Sequence, residues 1–412
     1  MSNNHDINLL RSLAELLKEI INKPIQEKRR DLWSQLNSFE LDRPLIYVRA
    51  FAFDEIFNPM DAKCSDPDYR QLELRLRMLL FRDTIGDDFI IEPWIIQNAV
   101  FTNPFGDCWG LSTNMTREGN DIKCAGFKPS LINEIDFSKM RLPCISVDEE
   151  KTAGLNDKLN SAIGDIIPVF INRKHYLASP NSGDISADLA KMRGMQELML
   201  DAYDRPKWLH KVLAFMQGAL LEIQSKTEAS GDYNLATQDN QAMPYCRELN
   251  RPAISKSVKR NETWAFMAAQ EFTGYSPEFF EEFMFNYQIP LLENFGMVSY
   301  GCCEDMTNNI SIIKKLKNLR RIAITPYSDV KKCAEQIGGD YILSWRPNPS
   351  LMIATGLDEG AVRQHLRENF KILKQNHCRF DITLKDVETI NRQPENVSKW
   401  VKIAREEIVN IF

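Results

Sequence analysis

The sequence predicts an α/β protein built as a (β/α)8 TIM-type barrel with an N-terminal helical extension and insertions. Short apolar runs alternate with helix-period segments along most of the chain, which is the pattern of parallel strands joined by right-handed crossovers. Eight or nine such runs can be counted, enough to close a barrel. The rival architecture, an open doubly wound sheet, calls for a glycine-rich turn after its first strand. The stretch "VRAFAFDEI" offers none.

In chain order, residues 6–40 read as helix, with Leu9, Leu13, Leu16, Leu17 and Ile20 at helical spacing and Pro24 as an interruption. "RPLIYVRAF" (43–51) is the first strand, so residues 1–42 form the extension and 43–412 the barrel. A helix over 68–86 ends at Gly86, and 89–101 reads as a strand interrupted by proline. Residues 102–150 are rich in Gly, Asn, Pro and Asp and read as an insertion. "DIIPVFI" (165–171) is the next strand, and 185–229 is helical by its periodicity. The second half predicts strands at 232–238, 263–270, 296–302, 321–326, 340–347 and 379–387. Helical segments lie between most of them, among them "NNISIIKKLKNL", and "PENVSKWVKIAREEIV" closes the chain.

The chain has 412 residues, 43% of them hydrophobic and 26% charged, with a formal net charge of −6. That is an ordinary globular composition, and the acidic balance argues against a phosphate-backbone partner. The N-terminus "MSNNHDINLL" lacks the pattern of a signal peptide, and the expected location is the cytoplasm. Nine cysteines without framework spacing are expected as thiols, with a metal-binding or reactive subset.

Barrel chemistry gathers at the C-terminal ends of the strands. The residues there are Gln238 to Asn240, then Gln270 and Glu271, then Cys302, Cys303, Glu304 and Asp305. Arg346 and Asn348 follow, and last Asp386 and Glu388. This rim is acidic and sulfur-bearing. Thiolate plus carboxylate is a workable zinc shell, although neither a C-x2-C pair nor H-E-x-x-H is present. Adjacent cysteines on a strand point to opposite faces, so both reach one site only if the strand has ended. The competing reading is that both are small buried residues. His210, on an apolar helix, reads as structural. The run "KKLKNLRR" (314–321) reads as a solvated helix face. Trp94, Trp109 and Trp345 line a cavity or fill the core.

The stretch "FGMVSYGCCEDM…NLRRIAITPYSDVKKCAEQIGGDYILSWRPNP", with "MRGMQELMLDAYDRPKWLH", "SPEFFEEFMFNY" and "LKDVETI", resembles the uroporphyrinogen decarboxylase-like superfamily. It is closest to the corrinoid (cobalamin)-dependent methyltransferase branch. The resemblance runs from about Arg43 onward. It implies a zinc ion held by a His-x-Cys element after the sixth strand and by a later cysteine, with a methyl group passing to or from a corrinoid on a separate protein. Here Cys302 matches, Tyr300 stands in the histidine's place, and Asp386 and Glu388 lie where the late cysteine falls. The expected ligand set therefore becomes Cys302, Cys303, Asp386 and Glu388. Glu271, Glu304 and Tyr300 are expected to be catalytic, the two acids as proton donors. Asn240, Gln270, Trp109 and Arg346 are expected to bind substrate.

The activity this implies is zinc-assisted methyl transfer between a small O-, N- or S-methylated substrate and the corrinoid protein, by a chain that can also form a homodimer. Two alternatives stand beside it: a metal-free decarboxylase or lyase of a small carboxylated compound, and a non-catalytic barrel subunit. Porphyrinogen decarboxylation itself fits poorly. The decarboxylases carry an arginine-rich RQAGR signature near the first strand, and "VRAFAFDE" supplies only Arg49.

Overall fold

The computed structural model describes residues 2–49, 52–103, 109–112, 114–116, 126–255, 257–353 and 356–412. Its centre is a six-stranded sheet whose paired strands are all parallel. Numbering the parallel strands in chain order, β1 is Leu45–Val48, β2 Ile95–Asn98, β3 Val169–Asn172 and β4 Trp264–Met267; β5 is Met297–Tyr300, β6 Leu319–Ile324, β7 Ile342–Trp345 and β8 Arg379–Leu384. The six-stranded sheet runs β1-β8-β7-β6-β5-β4, and β2 pairs with β3 in a separate parallel pair. The chain thus forms a mixed α/β fold with its parallel strands divided between a sheet of six and a pair.

Side chains complete the edges that strand pairing leaves open. The Asp88 and Asp87 carboxylates accept the amide N–H groups of Ile46 and Val48 at 2.8 Å each, so the free edge of β1 is satisfied without a neighbouring strand. At the far edge, Gln238 accepts the amide N–H of Trp264 at 3.2 Å.

Because side chains alternate along a strand, the sheet has two different faces. Ile46, Val48, Ala265, Met267, Val298, Tyr300, Ile322, Ile324, Leu343, Trp345, Phe380, Ile382 and Leu384 join the main apolar core with the surrounding helices. The other face carries Ser299, Arg321, Ser344, Asp381 and Thr383, all buried. Arg321 and Asp381 form an ion pair there, and Ser344 and Thr383 donate to Asp381 at 3.0 and 2.6 Å.

Helix α1 (Ser2–Ile21) lays Leu10, Leu13, Ala14 and Leu17 against α3 (Pro67–Ile85) and α4 (Glu149–Ile163). The interruption expected at Pro24 is instead the start of helix α2 (Pro24–Asn37), because proline suits a first helical turn. It lies under the N-terminal ends of the strands: Asn37 accepts from Arg321 at 2.6 Å and donates to the Met243 and Tyr245 carbonyls at 2.9 and 2.8 Å. Helix α3 ends at Gly86 in the left-handed conformation. The region 185–229 resolves into α5 (Ser186–Arg193), α6 (Met195–Asp204) and α7 (Pro206–Ala229). Among the described residues, no helix is long and apolar enough to cross a membrane.

Four sequence expectations are corrected. The segment 232–238 forms turns instead of a strand, because Asn234 accepts from the Thr237 amide and hydroxyl at 2.8 and 3.0 Å. Of 89–101 only Ile95–Asn98 and the single residue Phe101 are strand, and 308–319 holds a single helical turn, Ile310–Ile313. The run 314–321 is not a solvated helix face: β6 begins at Leu319 and buries Arg321 completely. The insertion 102–150 contributes two short antiparallel pairs, Phe101–Thr102 with Ser146–Val147 and Asn114–Thr116 with Gly126–Lys128.

Candidate active site

Since the strands of the six-stranded sheet are parallel, their C-terminal ends share one edge. The residues just past those ends are Arg49 after β1, Lys385 and Asp386 after β8, Arg346 after β7, Thr325 after β6, and Gly301, Cys302 and Cys303 after β5. Strand β5 stops at Tyr300 because Gly301 adopts φ +97°, a backbone open to glycine and costly to other residues. Beyond that turn, face alternation no longer holds, and the two cysteines face one another with their sulfurs 3.7 Å apart.

Lys385 contacts both sulfurs from one side. Its Nζ lies 3.3 Å from Cys302 Sγ, 3.0 Å from Cys303 Sγ and 3.1 Å from Asp386 Oδ2. Cys303 Sγ is also 3.9 Å from Asp386 Oδ2. Asp386 holds φ +57°, which aspartate tolerates better than most residues. The two thiols titrate as a pair. The hydrogen bond from Cys303 pulls the Cys302 thiol down against the cost of burial, aided by Arg346 and Lys385. The same bond, with burial, pushes Cys303 up. Of the two, Cys302 is the sulfur pulled towards the thiolate and Cys303 the one held towards the thiol. Burial and Arg346 lower the Lys385 ammonium, but contact with the two sulfurs outweighs them and its net shift is upward.

The turn is held from both sides. The Arg346 guanidinium donates to the Cys302 carbonyl and, at 3.3 Å, to the Gly301 carbonyl. The buried Glu304 carboxylate accepts the Cys302 amide at 2.7 Å and the Ala269 amide at 3.0 Å, tying the end of β5 to that of β4. Burial raises the Glu304 pKa. Arg49 makes no ion pair among the described residues; its guanidinium lies 5.8 Å from the Phe266 ring centroid, and its charge bears on Arg346.

The structure thus brings together Cys302, Cys303, Glu304, Arg346 and Asp386 from the sequence-derived set, with Glu304 and Arg346 as positioning residues. The others are placed elsewhere. Tyr300 faces the outer helices: its hydroxyl donates to Gln288 at 2.6 Å, its ring packs edge-on against Phe285, and burial drives its pKa well upward. Asn240 is buried near the N-terminal ends of the strands and donates to the Met243 carbonyl at 3.2 Å. Trp109 is buried in the main core and donates to Asp188 at 2.9 Å. Gln270 and Glu271 form a short turn after β4, where Glu271 accepts from Ser186 at 2.7 Å. Glu388 is exposed. His210 is structural as expected, bonded to the Tyr287 hydroxyl at 2.8 Å and stacked on Phe283.

Lys385 is the residue of this cluster that sequence reasoning missed. The available signal was parity: Asp381, Thr383 and Lys385 share a face of β8 and its extension.

Zinc would require three or four ligating side chains. Among the described residues, no group of three or more His, Cys, Asp and Glu could hold an ion. The Lys385 ammonium contacts both sulfurs from one side, at 3.3 and 3.0 Å, and its charge repels a divalent cation. The residues as arranged do not fit zinc.

The chain matches no protein-family model and none of the curated proteins. Among solved structures it is similar to a methyltransferase from Methanosarcina mazei, with a TM-score of 0.49 and 10% identity over 92% of this chain and 98% of that one. A likeness that distant carries no argument about function.

Proposed function

We propose that this chain is a methyltransferase that moves a methyl group between a small O-, N- or S-methylated compound and a corrinoid on a separate protein. The superfamily resemblance motivates the reading. The observation that supports it is the buried Lys385 ammonium, held against two thiols at the shared C-terminal edge of the strands. Breaking a methyl–heteroatom bond leaves an electron pair on the heteroatom, and a nearby cation or proton donor lowers that cost. Lys385 supplies both the charge and the proton, and Cys302 and Cys303 hold it in place. In the reverse direction the Cys302 thiolate accepts the proton of an incoming thiol, phenol or amine. Bound to its partner protein, the corrinoid supplies the group that carries the methyl. Arg346 and Glu304 fix the turn that presents the thiols.

A second reading is favoured by Arg49. An arginine that makes no ion pair among the described residues, with its charge bearing on Arg346, suits a substrate carboxylate. The site would then decarboxylate a small acid, with Cys303 returning a proton to carbon.

Free methylcobalamin serves as the corrinoid probe, offered with a panel of thiols, phenols and amines, and the cobalamin spectrum is followed. Demethylation by wild-type protein that is lost in Lys385→Met and kept in Lys385→Arg is the expected result. Absence of demethylation with every acceptor, together with release of carbon dioxide from a carboxylate panel, overturns methyl transfer in favour of the second reading. Zinc bound stoichiometrically to wild type and lost in Cys302→Ser overturns the metal-free assignment of Lys385.

A further inference from the structure

We propose that Cys302 and Cys303 form a two-electron redox couple, in which a hydroperoxide oxidises Cys302 and Cys303 then closes a disulfide on it. The inference needs only the two thiols and Lys385, and goes beyond the methyl-transfer reading. Both cysteines are partly exposed, so a small oxidant can reach them. Their sulfurs are 3.7 Å apart, and a disulfide spans about 2.05 Å, so side-chain rotation covers most of the remaining approach. A lysine ammonium within 3.3 Å of both sulfurs favours thiolate over thiol. The other described cysteines lack this setting. Cys64, Cys333 and Cys378 are buried, with thiols pushed up to about 12 chiefly by burial, and Cys144 is exposed.

The chemistry balances with the groups present. The Cys302 sulfur attacks one peroxide oxygen; the sulfur–oxygen bond forms and the oxygen–oxygen bond breaks. The departing oxyanion takes a proton from Lys385 and leaves as an alcohol or water. The Cys303 sulfur then attacks the sulfenic sulfur, the sulfur–oxygen bond breaks, and hydroxide departs with the Cys303 proton as water. Two electrons have passed from the sulfurs to the peroxide, and Lys385 recovers its proton from solvent. Adjacent residues keep their Cα atoms about 3.8 Å apart, short of the roughly 4.4–6.8 Å of an ordinary disulfide. The eight-membered ring is therefore strained, and a thiol reductant opens it readily. While it is closed, Lys385 has no thiolate beside it and the site is off.

The test uses the full-length reduced protein treated with hydrogen peroxide, then an alkylating agent, then digestion and mass spectrometry. The expected product is one peptide lighter by two hydrogens, with Cys302 and Cys303 unalkylated, Cys144 alkylated, and full recovery by dithiothreitol. Cys303→Ser should accumulate a sulfenic acid at Cys302 that a diketone probe captures. Lys385→Met should slow disulfide formation by about tenfold at neutral pH while its circular dichroism stays that of wild type. Oxidation of Cys144 ahead of Cys302 overturns the proposal. So does a disulfide from Cys302 to Cys108 or Cys124, or passage of wild-type Cys302 to sulfinic acid without a disulfide.

Discussion

Replacing Lys385 with methionine removes the cation that contacts both sulfurs and keeps a side chain of similar length. The Cys302 sulfur lies 3.3 Å from Nζ. At that separation, with an effective dielectric of about 20, the attraction is about 5 kcal/mol. Converted at about 1.4 kcal/mol per unit, that is between three and four pKa units. Two features reduce it. The Cys303 hydrogen bond, the largest influence on Cys302, remains, and so does Arg346. Water also solvates part of the partly exposed Cys302 sulfur once the lysine is gone. The net expectation is an upward shift of roughly two to three units in the Cys302 thiol. The sign is fixed: losing a cation favours the neutral thiol, so ionisation moves to higher pH. Iodoacetamide alkylation followed across pH, resolved for the Cys302 peptide, reads the midpoint directly. Lys385→Arg keeps the charge and should stay near wild type. A Lys385→Met midpoint within about half a unit of wild type refutes the assignment of Lys385 as the charge that holds the thiolate.

Further predictions concern the scaffold. Arg321→Met alone leaves Asp381 buried without its cation and should cost about 3–5 kcal/mol in urea unfolding, whereas Arg321→Met with Asp381→Leu should recover most of that loss. Asp184 is buried, and burial together with Glu271, Asp188 and Glu304 raises its pKa well above the usual carboxylate range. A raised carboxyl contributes stability that is full below its unfolded pKa and lost as pH rises through the folded one. Wild-type melting temperature should therefore fall as pH climbs through that window, and Asp184→Asn should flatten the fall. Gly301→Ala places a methyl 3.3 Å from Ala323 at φ +97°. It should destabilise by about 1–3 kcal/mol and slow Cys302 alkylation by displacing the turn.

Much of the parallel scaffold could be read from the sequence because buried strands appear as short apolar runs. "MVSY", "RRIAI" and "YILSW" all mark strands in the structure. Residues 232–238 misled because Tyr233, Leu235 and Ala236 imitate a strand, while Asn234 bonds the local backbone and makes a turn. Arg321 was misread for a related reason: a charged run suggests solvent, but a strand can direct one member of such a run inward against a carboxylate two strands away. At the site, the paired cysteines stood out by their type. Their lysine did not, because a lysine past a strand is usually solvated and its partners lie more than eighty positions away. Tyr300 was placed by analogy with a motif, but the alternation of β5 turns it toward the helices.

The ion pair of Arg321 and Asp381, with Asn37 and the Trp33 ring stacked beneath it, corks the strands at their starting ends. The charges that lock β6 to β8 therefore lie at the edge of the sheet opposite the thiols. Loops at the thiol edge can thus vary without touching the contacts that hold the strands together at their other ends.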